Sequence, residues 1–179
     1  MKKLIAFILI IMAGSSHAAL ISQSHDITAS GEGSIGYTFF EVTESGVFDI
    51  YTMGPTIDPV LFLFIDDGDL STDDFIETND DGCSSSVCGP SGAFNNSLIS
   101  EISLSIGFYV AAISDFGFST SEAISGLNIN DRTGLAFIVV DTGTEGLGNA
   151  RLTSVNAPQV VLFFALFLPL LFASKFKRK

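Results

Sequence analysis

Eight of the chain's twenty acidic residues lie between Asp66 and Asp81: Asp66, Asp67, Asp69, Asp73, Asp74, Glu77, Asp80 and Asp81 stand there, with Asp58 just upstream. Carboxylate oxygens on a surface loop are the ligands that a hard cation requires, and Ca²⁺ takes six to eight of them. Asp66, Asp67, Asp69, Asp73, Asp74, Asp80 and Asp81 are therefore the candidate calcium ligands. The spacing is not that of an EF-hand. Counted from Asp67, position six is Thr72 rather than Gly, and position twelve is Thr78 rather than Glu. A solvated acidic loop is the alternative reading.

Other chemistry finds less support. Beyond residue 18 the chain holds one histidine, His25, which is placed in a flexible lead-in where it could not serve as the held base of a Ser-His-Asp triad. Cys83 and Cys88 are the only cysteines, spaced C-S-S-S-V-C, and in an exported chain they read as a disulfide. Closing so short a ring should contribute ~2 kcal/mol on the chain-entropy model. Zinc would want four ligands, which are not at hand. Gly31-Glu32-Gly33 leads into no helix and is not a phosphate loop. No tryptophan is present to stack a sugar ring. A carboxylate-based hydrolase and a carbohydrate-binding module using Phe116 and Phe118 stay as alternatives to a non-catalytic module.

The elements that must position these residues are short strands. Val60–Ile65 is a six-residue apolar run that suits a strand buried on both faces, feeding the acidic segment as a surface loop. Residues 35–42 and 47–52 read as strands joined in a hairpin through Glu44-Ser45-Gly46, with Phe48, Ile50 and Thr52 on one face. Leu98, Ser100, Ile102, Leu104 and Ile106 alternate with polar partners over one long strand. Residues 108–113 and 135–140 are further buried runs, Leu127 and Ile129 a weaker strand, and 150–155 an edge strand. Many short strands, Gly/Pro turns and no amphipathic helix of useful length predict an all-β antiparallel sandwich or jelly-roll over residues 35–155.

The two ends carry addresses. Lys2 and Lys3, an apolar run and Ser16-His17-Ala18 make a secretory signal over 1–18, cut after Ala18, with 19–34 as the lead-in. Residues 156–179 contain Ala157-Pro158, fourteen apolar residues from Val160 to Ala173, and the basic cluster Lys175, Lys177, Arg178 and Lys179. Read as a transmembrane helix, the fourteen residues span ~21 Å, short against a hydrocarbon core of ~30 Å, and the basic end belongs on the cytoplasmic side. Between the ends, twenty acids face only Arg132 and Arg151, a net −18. Such a body repels nucleic acid.

Two resemblances follow from these residues. Asp58-Pro59-Val60-Leu61-Phe62-Leu63-Phe64, Asp66-Asp67-Gly68, Asn79-Asp80-Asp81-Gly82, Ile102-Ser103-Leu104 and Gly107-Phe108-Tyr109-Val110-Ala111 together resemble the bacterial pre-peptidase C-terminal domain group, over roughly residues 35–130. The resemblance implies a small non-catalytic β-sandwich, attached to secreted enzymes or alone in envelope proteins, whose Asp-rich turns hold calcium in some members. The tail resembles the PEP-CTERM sorting signal of Gram-negative bacteria, with Ala157-Pro158 in place of Pro-Glu-Pro. That resemblance implies signal peptidase, an exosortase-like processing enzyme and the inner membrane as partners, and a final location in the envelope or outside the cell. Exopolysaccharide is the further partner expected of a matrix or biofilm protein.

Overall fold

The computed structural model describes residues 20–53, 56–84, 86–88, 95–142 and 148–153. Residues 1–18, expected to be a secretory signal, and the tail, including Ala157, Pro158, Lys175, Lys177, Arg178 and Lys179, lie outside the described residues. Among the described residues nine strands form two antiparallel sheets: β1 (Leu20–Ile27), β2 (Gly36–Glu44), β3 (Gly46–Met53), β4 (Val60–Ile65), β5 (Phe75–Asn79), β6 (Leu98–Leu104), β7 (Gly107–Ser114), β8 (Gly134–Asp141) and β9 (Asn149–Leu152). One sheet has the order β1-β8-β3-β6, the other β5-β4-β7-β2-β9. The chain pairs β1 with β8, β2 with β7, β3 with β6 and β4 with β5, the nested pairing of a jelly roll.

That nesting corrects two expectations. Residues 35–42 and 47–52 are strands but not a hairpin: β2 and β3 belong to different sheets, and the turn at Ser45 carries the chain across the sandwich. The lead-in is not flexible over its whole length. Leu20–Ile27 is β1, paired along all of β8, with only Ile21 and Ile27 buried. A strand so polar, LISQSHDI, carries little hydrophobic signal.

The inner core between the sheets is built from Phe40, Val42, Phe48, Ile50, Leu61, Leu63, Ala111, Ile113, Ile138 and Val140. Phe48, Ile50 and Thr52 share the inner face of β3 as expected, all without exposed surface. A second cluster covers the outer face of the five-stranded sheet, where Val60, Phe62, Phe64 and Val110 pack against Phe118 and Ala123. Ala123 belongs to the short helix α1 (Thr120–Ser125), which the Tyr37 hydroxyl ties to β2 by donating to the Ala123 carbonyl. Burial pushes that phenol up to about 12. The unbroken apolar runs of β4 and β7 have this cause: both strands are covered on both faces. Each fully buried large side chain contributes ~1.5–3 kcal/mol.

β6 departs from simple alternation. Ile50 pairs with Ile99 but Phe48 pairs with Ile102, so one extra residue is inserted. Glu101 sits there at φ 54°, the left-handed region. The bulge changes which face points inward: Ile99 is buried before it, Ile102 and Leu104 pack on the core after it, and Ile106 is exposed. The uniform face Leu98-Ser100-Ile102-Leu104-Ile106 is therefore not formed.

Leu127 and Ile129 form no strand either. Asn128 and Asn130 point inward instead, and the two apolar residues point to solvent. The amides complete a buried polar network. Asn128 Nδ2 donates to Ser114 Oγ at 3.0 Å, and Asn130 Nδ2 donates to the carbonyls of Thr28 and Ser34, both at 2.8 Å. Hydrogen-bonded amides in that position satisfy backbone groups that burial would otherwise leave costly.

Candidate metal site

Strand direction decides which acids can meet. β4 leaves Val60 at one end of the sandwich and reaches Ile65 at the other; β5 returns from Phe75 to Asn79. Asp66, Asp67, Asp69, Asp73 and Asp74 thus lie at the far end, and Asp80 and Asp81 at the near end. A six-residue strand separates the two groups by ~17–20 Å. The seven candidate aspartates cannot share one ion. The acidic segment is also not one loop, because β5 and a 3-10 turn at Thr72–Asp74 run through it.

The far group is engaged in local backbone turns. Asp66 accepts from the Gly68 amide and Asp67 from the Asp69 amide. Asp74 is buried and caps the 3-10 turn, accepting from the Ser71 amide at 2.8 Å and the Ser71 hydroxyl at 2.6 Å. These are Asx-turn and capping-box arrangements.

At the near end Asp80 and Asp81 are joined by Asp58, with one carboxylate oxygen of each within 4.8 Å of the others. Antiparallel pairing explains the meeting. Leu61 opposes Asn79, so the residues preceding β4 run alongside those following β5. Asp58 was absent from the sequence-derived ligand set; the signal that could have found it is the Asp before the first strand of a hairpin whose second strand ends in Asp-Asp. Gly82, at φ 105°, turns the chain out of the cluster into Cys83 in a conformation that favours glycine.

Two devices hold the cluster's backbone. The Asp115 carboxylate, 1% exposed, accepts from the Asp58 amide at 3.1 Å and from the Arg132 amide at 2.9 Å. Ser97 Oγ lies within hydrogen-bond reach of the carbonyls of Pro59 and Asp80 and shares its single proton between them, linking the two flanks. Cys83 and Cys88 stand at disulfide distance, with Cα atoms 5.9 Å apart, and both are buried with Tyr51 and Val139 on the outer face of the four-stranded sheet.

The electrostatics favour a cation. Partial burial, then Asp81 and Asp58, push the Asp80 carboxyl above its ordinary range. Partial burial, then Asp81, do the same to Asp58; Arg132 opposes the shift and Asp115 adds to it. One oxygen of Asp58 is buried with no hydrogen-bond partner among the described residues. Oxygens on opposite sides of a Ca²⁺ ion are ~5 Å apart, given Ca–O distances of 2.3–2.6 Å. Asp58, Asp80 and Asp81 therefore fit as three ligands of one ion, with backbone carbonyls and water to complete the shell.

Elsewhere, His25 is held within β1, its Nε2 2.9 Å from Thr38 Oγ1 of the opposite sheet, and burial lowers its pKa. Gly36 leaves room for the ring, since a Cβ there would stand 2.5 Å from the imidazole. Phe118 is buried edge-on against Phe62, with ring centroids 5.1 Å apart, while Phe116 is exposed. The paired aromatic platform considered for a carbohydrate is not formed. A groove of about 180 Å³ runs between β5 and β6, lined by Glu77, Asn79, Ser100 and Glu101 among others.

Compared with known proteins, the chain matches no family model, and no curated protein matches it either.

Proposed function

We propose that this chain is an exported, non-catalytic β-sandwich module of a Gram-negative envelope or extracellular matrix, stabilised by calcium at Asp58, Asp80 and Asp81 and delivered by a C-terminal sorting tail. The meeting of three carboxylates from the two flanks of one hairpin carries the calcium part. An ion there neutralises mutual repulsion and ties the loop before β4 to the loop after β5, so binding adds to folding stability. The resemblance to the pre-peptidase C-terminal group supports the same reading. The groove at Glu77 and Glu101 is where a hydrolase alternative would rest; both glutamates are exposed, on edge strands of different sheets.

Thermal unfolding in chelator, millimolar magnesium and millimolar calcium tests the site. Calcium at 1,000 times its dissociation constant adds ~4 kcal/mol. Asp80→Asn should abolish the rise, and Asp67→Asn, at the far end, should keep it. A midpoint equal in all three solutions, or an equal rise with magnesium, refutes the site.

Residues 156–179 support the sorting part: Ala157-Pro158, then the apolar run, then Lys175, Lys177, Arg178 and Lys179. Signal peptidase and an exosortase-like enzyme are the processing partners. Intact-mass measurement of the native protein should find a form that begins at Ala19 and ends near Pro158. A form that retains Lys179 and sediments with the inner membrane makes the tail a plain anchor instead.

A further inference from the structure

The final described strand sets the direction in which the chain leaves the sandwich. β9 runs antiparallel to β2, with Leu152 opposite Phe40, and the Thr153 amide donates to the Phe39 carbonyl at 3.0 Å. The chain at Thr153 is therefore heading toward the end of the sandwich where β2 begins, at Gly36. The same end carries Asp58, Asp80 and Asp81, and the loops 115–119 and 126–133. Six residues, 154–159, separate Thr153 from Val160, the first residue of the apolar run. From Thr153 to Val160 is seven Cα steps, at most ~25 Å if fully extended. Gly36, three residues beyond Phe39, lies ~10 Å further along β2 at ~3.3 Å per residue. The apolar run can thus start no more than ~15 Å past this end.

This end also exposes apolar side chains that the fold has turned outward. Phe116 is 68% exposed, Leu127 55% and Ile129 85%. The buried network ties their two loops at this end: Asn128 binds Ser114, and Asn130 Oδ1 accepts from the Asp115 amide. Leu127 directly follows the Gly126 cap of α1, beside Tyr37 near the start of β2. Ile106 and Leu20 are comparably exposed, at 67% and 64%, but lie at the opposite end.

We infer that the end bearing Phe116, Leu127 and Ile129 is a membrane-contact surface, seated in the lipid interface while the tail holds the protein. This rests on the reading of residues 160–173 as a membrane segment. The short reach of 154–159 keeps this end against the bilayer, and apolar and aromatic side chains at headgroup depth are favoured there.

The chain contains no tryptophan, so a single introduced one reports alone. Full-length Phe116→Trp, Ile129→Trp and Ile106→Trp proteins would be reconstituted into phosphatidylcholine vesicles, plain or brominated near the headgroup, with calcium present. Quenching by brominated lipid should be several-fold greater at positions 116 and 129 than at 106. Equal quenching at all three, or greater quenching at 106, overturns the surface. Vesicle flotation of the same samples separates the two causes of failure. Protein that floats without the expected difference refutes only the orientation, and protein that does not float refutes the membrane reading of the tail and the inference with it.

Discussion

Replacing Asp115 by Ala should damage the fold and the proposed calcium site together. The Asp115 carboxylate is buried and accepts two backbone amides, those of Asp58 and Arg132, which lie on different loops. Alanine leaves both donors without their acceptor. A donor orphaned in the interior costs ~1–3 kcal/mol. Asp58 is half-buried and Arg132 exposed, so water can reach part of the gap, and the lower half of the range applies to each. The expected loss is ~3 kcal/mol in all, a large part of a typical stability of 5–15 kcal/mol. With a urea m-value of ~2 kcal/mol/M, the midpoint should fall by ~1.5 M. Asp115→Asn should fall between the variant and the parent, since its carbonyl oxygen can keep one donor while its NH₂ faces the other. The calcium-induced rise in thermal midpoint should shrink in both variants, because the Asp58 backbone is no longer pinned. A urea midpoint for Asp115→Ala within ~0.25 M of the parent, about 0.5 kcal/mol at that m-value, would refute the reasoning.

Two other outcomes follow from the structure. Burial lowers the His25 pKa below its ordinary 6.5, so between the two values the unfolded chain binds a proton that the folded protein refuses. Stability should therefore fall as pH drops below about 6.5; urea unfolding of the parent and His25→Gln at pH 7 and 5.5 checks this, and an unchanged pH dependence in the variant counts against it. Glu101 occupies the left-handed region at a bulge, where glycine is relieved of a side-chain clash costing ~1–2 kcal/mol but gains chain entropy when unfolded. Glu101→Gly should be stabilising by ~0.5 kcal/mol in urea unfolding, and a loss above ~1 kcal/mol would mean that its side chain does more than fill the bulge.

What could be read from the chain alone follows from how strongly burial marks a segment. β4 and β7 are covered on both faces, so their apolar runs stand out. β1 is an edge strand with two buried residues, and its polar composition hides it. Leu127 and Ile129 mislead in the opposite way: their spacing suits a strand, but the amides between them find better partners inside. The bulge at Glu101 leaves no hydrophobic mark, since apolar residues lie on both sides of the change in phase. The acidic segment marked carboxylates as the candidate ligands. It could not show that a hairpin passes through its middle, and so it grouped seven aspartates that the fold divides and omitted Asp58, which pairing brings in.

The nested pairing also has a consequence in time. β1 emerges first from any machinery that handles the chain from its N-terminus, yet its partner β8 follows roughly a hundred residues later. Pairs this distant close slowly, because the loop between them must be ordered first. Until then β1 waits as an unpaired strand, the state in which a hydrophobic segment recruits the wrong neighbour. Ser22, Gln23, Ser24, His25 and Asp26 make it a poor recruiter. The polarity that conceals β1 in the sequence is what lets the first strand made be among the last to be placed.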